Sequence, residues 1–378
     1  MSFNLIRNSR VFFTTNVNAE TGVVAASGFT TSNTREIQVL DGLSFSQNTT
    51  SETVTLSEGG DTPVRGQRSY NTALDPVDFS FSTYMRPADG GTNITAEEGV
   101  LWNALMGNDN IGGTNAAWVE NISYAAATTA TSSQSHQLVK FGLLIVIDGV
   151  SYIIDNCALD SASIDFGLDA IATVAWAGKG GAIRQVDITA TTATPVALSG
   201  DISGNALQKN STAPYIANKL STMTLEGGIN GGGTAYSVPL TGGSLTFNNN
   251  ITYLTPANLG IVNQPFTYFT GTRAISGSIN AYLRTGTTNT AGLLSDMLAA
   301  STYAVDPAYS IQIDVGGSAN ATRVVLIMPA TVLTIPTVAT DQVVSTTINF
   351  TAQANTADEF DVGAANELEV RYYTTNVA

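Results

Sequence analysis

The sequence predicts a mainly β protein: two tandem copies of an antiparallel β-sandwich or barrel module, each with one short α-helix and an extended hairpin arm. Two observations lead there. Asp78-Phe79-Ser80-Phe81-Ser82-Thr83-Tyr84-Met85-Arg86 is echoed by Ser276-Gly277-Ser278-Ile279-Asn280-Ala281-Tyr282-Leu283-Arg284, with Tyr84 on Tyr282 and Arg86 on Arg284. The row Phe79, Phe81, Thr83, Met85 then falls on Gly277, Ile279, Ala281, Leu283, so both stretches read as strands with one apolar and one polar face. The echo recurs along the chain, in the same order. Ile6-Arg7-Asn8 matches Ile216-Ala217-Asn218, Leu43-Ser44-Phe45 matches Leu245-Thr246-Phe247, and Thr173-Val174-Ala175-Trp176 matches Thr347-Ile348-Asn349-Phe350. One order in both halves implies one topology used twice. The division is a first module at 1–190, a linker at 191–213 and a second module at 214–378.

Taken in order, a strand opens the chain at Phe3 to Thr15, and Leu43 to Arg68 forms a hairpin with a long extension. Within it Val54-Thr55-Leu56 leads to Ser57-Glu58-Gly59-Gly60-Asp61 and on through Arg65 and Arg68 to Tyr70, a polar arm expected to order against a partner. Its counterpart runs from Tyr253 to Tyr268. After the strand ending at Arg86, Thr95-Ala96-Glu97-Glu98 is a capping box for a helix carrying Leu101, Leu105 and Met106 and closed by Gly107. Thr290, without the glutamate, leads the matching stripe Leu293, Leu294, Met297 and Leu298. Short amphipathic helices of this kind ordinarily pack on a sheet. The first copy is longer by Asn115 to His136, a Thr/Ala/Ser-rich stretch expected to be a surface loop. Lys140 to Ile154 reads as a hairpin turned at Asp148-Gly149, and Ser310 to Met328 as another turned at Gly316-Gly317-Ser318. Phe166 to Gly178 and Val343 to Ala352 read as long strands, and Asp187 to Pro214 joins the copies.

Composition removes most chemistry. The 378 residues include one cysteine and one histidine, which excludes an intrachain disulfide and the usual zinc or nucleophile–base sets. Cys157 is expected to be a buried small hydrophobe and His136 a surface loop residue. No phosphate-binding loop ending in Gly-Lys-Ser/Thr occurs, and Gly227-Gly228 with Gly231-Gly232-Gly233 reads as turns because no lysine or helix follows. Asp160 with Asp165, or Asp358, Glu359 and Asp361, could in principle bind calcium or serve a glycosidase, but the three tryptophans (Trp102, Trp118, Trp176) are dispersed rather than lining a cleft. No enzyme activity, cofactor or metal is expected. The N-terminus lacks a signal-peptide core and Phe141 to Ile147 is too short to span a bilayer, so a soluble chain made in a host cytoplasm is expected, without membrane insertion. A net charge of −15 repels nucleic acid, and charged residues at only 12% imply that much of the surface faces other protein.

The order of elements, with phrases such as Arg65-Gly66-Gln67-Arg68-Ser69-Tyr70 and Asp78-Phe79-Ser80-Phe81-Ser82-Thr83, resembles the major tail tube proteins of long-tailed bacteriophages, whose fold is shared with the tube protein of type VI secretion. The resemblance covers the whole chain twice, whereas the usual member carries one module and assembles as hexameric rings. It implies a structural virion protein that polymerises into stacked rings, forming the tail conduit for DNA ejection, with DNA passing untethered. It also implies trimers of pseudo-sixfold symmetry, and sheath or tail terminator, baseplate and tape measure as partners. Val54, Glu58, Asp61, Arg65, Arg68 and Tyr70 would then form a ring-stacking arm, and Tyr84, Arg86, Tyr282 and Arg284 packing or subunit contacts. The alternative is another tandem β-sandwich virion or surface protein, such as a baseplate, fibre or adhesin component.

Overall fold

The computed structural model describes residues 9–24, 28–29, 34–40, 42–54, 67–89, 94–106, 118–121, 138–147, 150–186, 213–229, 231–300, 308–317, 322–334, 337–339, 344–353 and 367–374. The fold is mainly β and antiparallel, as predicted. One sheet runs without interruption through both halves. Its order is Ser44–Ser46, Val77–Tyr84, Thr173–Gly180 and the C-terminal part of Val150–Asp165, then Leu240–Asn248, Ala274–Tyr282 and Ser345–Ala352, and last an edge made by the end of Arg323–Leu333 with Thr337–Ala339. Each strand alternates, so that Val77, Phe79, Phe81 and Thr83 are buried while Asp78 and Ser80 are exposed. The alternation follows from the pleat, which sends successive side chains to opposite faces.

The longest strand belongs to two sheets. Before Cys157, Val150–Asp165 lies between Phe141–Ile147 and Ala182–Val186, with Ser9–Thr14 and Thr34–Ile37 following outward. In the second half Arg323–Leu333 lies between Ala308–Val315 and Glu369–Tyr373, with Thr222–Gly227 and Ala235–Ser237 following outward. The predicted hairpins are therefore present, and Gly316 and Gly317 take φ of 102° and 140°, the left-handed region that a side chain resists. Gly228, Gly231 and Gly232 likewise take positive φ in a turn, as the sequence suggested.

A continuous apolar core fills the space behind the long sheet, spanning Phe13, Phe79 and Phe141 in one half and Phe247, Ile313 and Phe350 in the other. The helix Gly99–Met106 is sunk into it, with Leu101, Trp102 and Leu105 buried. Trp176 meets Trp102 edge-on at 4.9 Å and its indole N–H donates to the Thr83 hydroxyl at 2.9 Å, which satisfies the polar tip of a fully buried ring. Cys157 is buried, as expected. In the second helix, Thr290–Ala300, Leu293 and Met297 face the core and Leu298 is exposed.

Several expectations are corrected. The strand foreseen at Phe166 begins only at Thr173, because Gly167 to Ala170 make a turn closed by the Ala170 N–H on the Gly167 carbonyl. The stretch foreseen as a loop at Asn115 to His136 contains a strand, Trp118–Asn121, paired with Glu369–Tyr373 of the other half. Glu98 does not close a capping box: its carboxyl accepts the Arg86 N–H and the Tyr372 hydroxyl. His136, Gly107, Asp358, Glu359 and Asp361 lie outside the described residues.

Two of the sequence echoes are also out of register. Arg86 and Arg284 are equivalent, since the carbonyl of each accepts a backbone N–H at the helix entrance, Glu97 and Ala291 respectively, and the N–H of each bonds a helix-entrance side chain, Glu98 or Thr290. Counted from that point, the ladders put Ile348 where Trp176 stands and Leu245 where Phe45 stands. The echoes that set Trp176 on Phe350 and Leu43 on Leu245 are each displaced by two residues. Such a slip leaves every side chain on its proper face, so a period-two pattern cannot detect it.

Candidate assembly surfaces

The long sheet has one face on the core and one face open. Its open face carries Ser80, Ser82, Ser161, Ser163, Ser244, Thr246, Ser276, Ser278, Asn280, Thr347, Asn349 and Thr351, a field of hydroxyls and amides interrupted by Ala175 and Ala177 on Thr173–Gly180. Many bond across strands, as in Thr347 to Asn280 at 2.8 Å and Ser244 with Ser278 at 3.1 Å. The charges on this face are few: Asp78 with Lys179, paired at 2.9 Å, and Asp165. Nothing here can hold an anion by a row of cations.

The halves are joined by main chain. Ser161 to Asp165 pairs residue by residue with Asn248 to Ser244, continuing the ladder without a break. Behind it Ala162 and Ile164 are buried with Phe247 and Leu245, so the seam is sealed by apolar contact as well as by hydrogen bonds. At the ends of the sheet the corresponding strands, Ser44–Ser46 and Thr337–Ala339, pair on one side only among the described residues. Antiparallel strands alternate in direction, so eight in sequence leave the first and last edges opposed, ready to pair antiparallel with each other across two molecules.

The arms are two-stranded. Thr49–Val54 pairs with Arg68–Leu74, placing Val54 opposite Arg68 and Glu52 opposite Tyr70, whose ring is exposed. Glu58, Asp61 and Arg65 lie outside the described residues. In the second half Ile251–Leu254 pairs with Thr267–Thr270. That arm is anchored by buried Tyr253 and Tyr268, the latter donating to the Leu138 carbonyl at 2.8 Å, while Leu259, Ile261, Val262 and Phe266 at its end are exposed. The two arms touch: the Leu74 N–H donates to the Asn263 carbonyl at 2.8 Å, and the Asn263 N–H to the Thr72 carbonyl at 3.1 Å.

The recurring tyrosine and arginine have diverged. Tyr84 is half-buried against Tyr215, and Arg86, almost fully buried, bonds the Ala213 carbonyl and Gln38. Tyr282 and Arg284 are exposed. Neither was distinguishable by sequence, because Ala213 and Tyr215, which cover Arg86 together with Gln38, come from the end of the linker and beyond it.

The strongest electrostatic feature is internal. Glu98 is enclosed beside Tyr372, whose hydroxyl donates to it and accepts the Trp102 indole N–H at 2.8 Å. Burial, partly offset by these hydrogen bonds, pushes the Glu98 carboxyl up to about 8, and burial likewise pushes the Tyr372 hydroxyl up. An isolated acid of raised pKa can mark a catalytic site. Here the carboxyl is almost fully enclosed, and among the described residues no cluster of three or more metal-ligating side chains exists. The group ties the first helix to the last strand.

The seam, the open polar face and the two one-sided edges together define a structural protein whose surfaces serve assembly. Tail tube protein pb6 of Escherichia phage T5 is 30% identical to this chain over 369 residues, covering 96% of this chain and 75% of that protein. The chain belongs to the phage tail tube protein family, with a structural role in the virion tail. No family model matches it. No helix among the described residues is long and apolar enough to cross a membrane.

The Ser161–Asp165 seam escaped the sequence reading, although the alternating polar residues in Ser161-Ala162-Ser163-Ile164-Asp165 and Ser244-Leu245-Thr246-Phe247-Asn248 are on the page. Two strands of like pattern declare their faces but not their neighbours.

Proposed function

We propose that the chain is two tube modules in tandem, divided near the 191–213 linker, and that three chains close a ring of six modules whose stacking builds the tail conduit for DNA. The observation that carries this is the seam. It joins the second strand system to the first by the ladder that a ring needs at every boundary, and the pairing order in one half recurs in the other. Three chains would give 24 strands, and at about 4.8 Å between strands tilted by about 40° the barrel would be about 48 Å across at the backbone. That leaves room for a duplex once side chains are subtracted. Mass measurement of isolated rings should give three chains, with six density lobes by microscopy; six chains per ring would sink the reading.

The apolar bulk lies on one side of the long sheet, so closure turns the hydroxyl face to the bore. A net charge of −15 is compatible with a neutral to acidic wall. The face points to a nearly neutral one, which suits a conduit, since each phosphate neutralised by a fixed cation adds counterion release to binding and a ladder of them would hold the duplex. The acids at the sheet's back and edges keep the outside soluble. Replacing Ser163 and Thr246 with lysine should leave rings intact but give tubes that retain DNA at low salt and release it as salt rises. Equal DNA retention by wild-type and lysine tubes would show that this face does not line the bore. Stacking through the arms and synthesis in a host cytoplasm belong to the same reading, with sheath or terminator, baseplate and tape measure proteins as partners.

A further inference from the structure

At the entrance to the second half, a short segment is held down by two side chains of the first. Arg86 donates to the Ala213 carbonyl from Nε at 3.2 Å and Nη2 at 2.5 Å, and its guanidinium lies 4.5 Å from the centre of the Tyr215 ring. Tyr84 meets the same ring edge-on at 5.0 Å. Immediately after, Ile216 is buried and its carbonyl accepts the Ala172 N–H, while the Asn218 N–H donates to the Ala170 carbonyl, so the segment adds to the loop before Thr173. This is a clamp of one cation and one ring closing on a tail that offers a carbonyl and a ring of its own.

The second half carries the same pair, and no described residue closes on it. Tyr282 and Arg284 hold the equivalent places, both are exposed, and among the described residues neither the Tyr282 hydroxyl nor the Arg284 guanidinium has a partner. In the first half the clamp grips a segment that comes after it in the chain, leading into the next module. Carried forward, the clamp on the second half must grip the segment leading into the first module of another copy. The ladders supply the match: Phe13 lies opposite Leu143 and Leu225 opposite Ile311, each just after the bulge of its hairpin, so counting back without a gap sets Phe3 where Tyr215 stands. Residues 1–8 lie outside the described residues.

We propose that Tyr282 and Arg284 are the receptor for the residues ahead of Ser9 of the neighbouring copy in the ring, with Phe3 against the tyrosine ring and a main-chain carbonyl before it accepting from the guanidinium. The proposal rests on the ring reading and names the side chains that fasten one chain to the next. It assigns the occupant to a second copy because the cis clamp grips across a module boundary. Arginine suits the task, since its planar fork binds a carbonyl from two nitrogens while stacking on a ring.

The test is crosslinking in assembled particles. With Phe3→Cys and Tyr282→Cys in one chain, a short bismaleimide should give products of two and three chains on a denaturing gel, absent from each single variant and from dilute, unassembled protein. Cys157 is buried and should not contribute. Rings visible by microscopy without interchain product, or with the product confined within one chain, would overturn the docking while leaving the ring reading standing. Absence of rings in wild-type protein would overturn both. A second measurement avoids dependence on the cysteine pair: deletion of residues 2–5 and Arg284→Ala should each slow ring formation several-fold, and together no more than either alone. Effects that multiply would show two separate contacts and overturn the proposal, because variants acting through one contact are non-additive.

Discussion

Replacing Trp176 with alanine is expected to destabilise the unassembled chain by about 3–5 kcal/mol, the usual cost of emptying a fully buried indole site. The ring is enclosed in the main core, meets Trp102 edge-on at 4.9 Å, and donates to a threonine hydroxyl that the variant would leave buried and unpaired. Large-to-small changes cost most where neighbours cannot collapse, and here strands pair on both sides of Thr173–Gly180. Denaturant midpoints of unassembled protein measure it, and a near-neutral change would mean that this face does not form the core. The matching site in the second half, Ile348, should cost about 2–5 kcal/mol as alanine. The echo residue Phe350 lies one pleat repeat away.

The second large effect is a pH dependence centred on Glu98. Folded, this carboxyl holds its proton up to about pH 8; unfolded, it loses it near 4.5. Between those limits the folded state binds more protons than the unfolded one, so stability from this group is fully present below about pH 4.5 and is lost as pH rises toward 8. The loss is on the order of 5 kcal/mol across the window. Glu98→Gln keeps its amide oxygen as acceptor for one of the two donors, the Arg86 N–H, turns an amide N–H toward the Tyr372 oxygen, and cannot ionise. Its stability relative to the original chain should therefore climb steadily from pH 5 to pH 8 and level off above. Parallel stability curves for the two proteins would refute the assignment.

How much of this was legible in the sequence varies by the physics involved. Faces were legible: the polar rows of Asp78 to Arg86 and Ser276 to Arg284 fall as written, because alternation is a property of each strand alone. Register was not, since displacing Leu43 or Trp176 by two residues changes no face. Neighbours were not either, and so the Ser161–Asp165 seam, the one-sided edges at Ser44–Ser46 and Thr337–Ala339, and the arm contact at Asn263 appear only in three dimensions. The contrast between Arg86 and Arg284 shows the limit most plainly. Identical local sequence, Tyr-x-Arg after a strand, becomes a buried clamp in one place and an open one in the other because of what the rest of the chain brings to it.

The joining of both halves in one chain also has a combinatorial consequence on the three-chain reading. A ring of separate modules can miscount: five, six or seven may close with small differences in curvature, and each added member costs about 4–15 kcal/mol of lost translational and rotational freedom. Joined in pairs, the modules can be counted only in twos. Rings of five or seven are then unreachable, and three of the six boundaries form within single chains, without a collision between molecules. The tandem chain therefore acts as a ruler for circumference, selecting the even ring and halving the encounters that must succeed before a layer of the tube is complete.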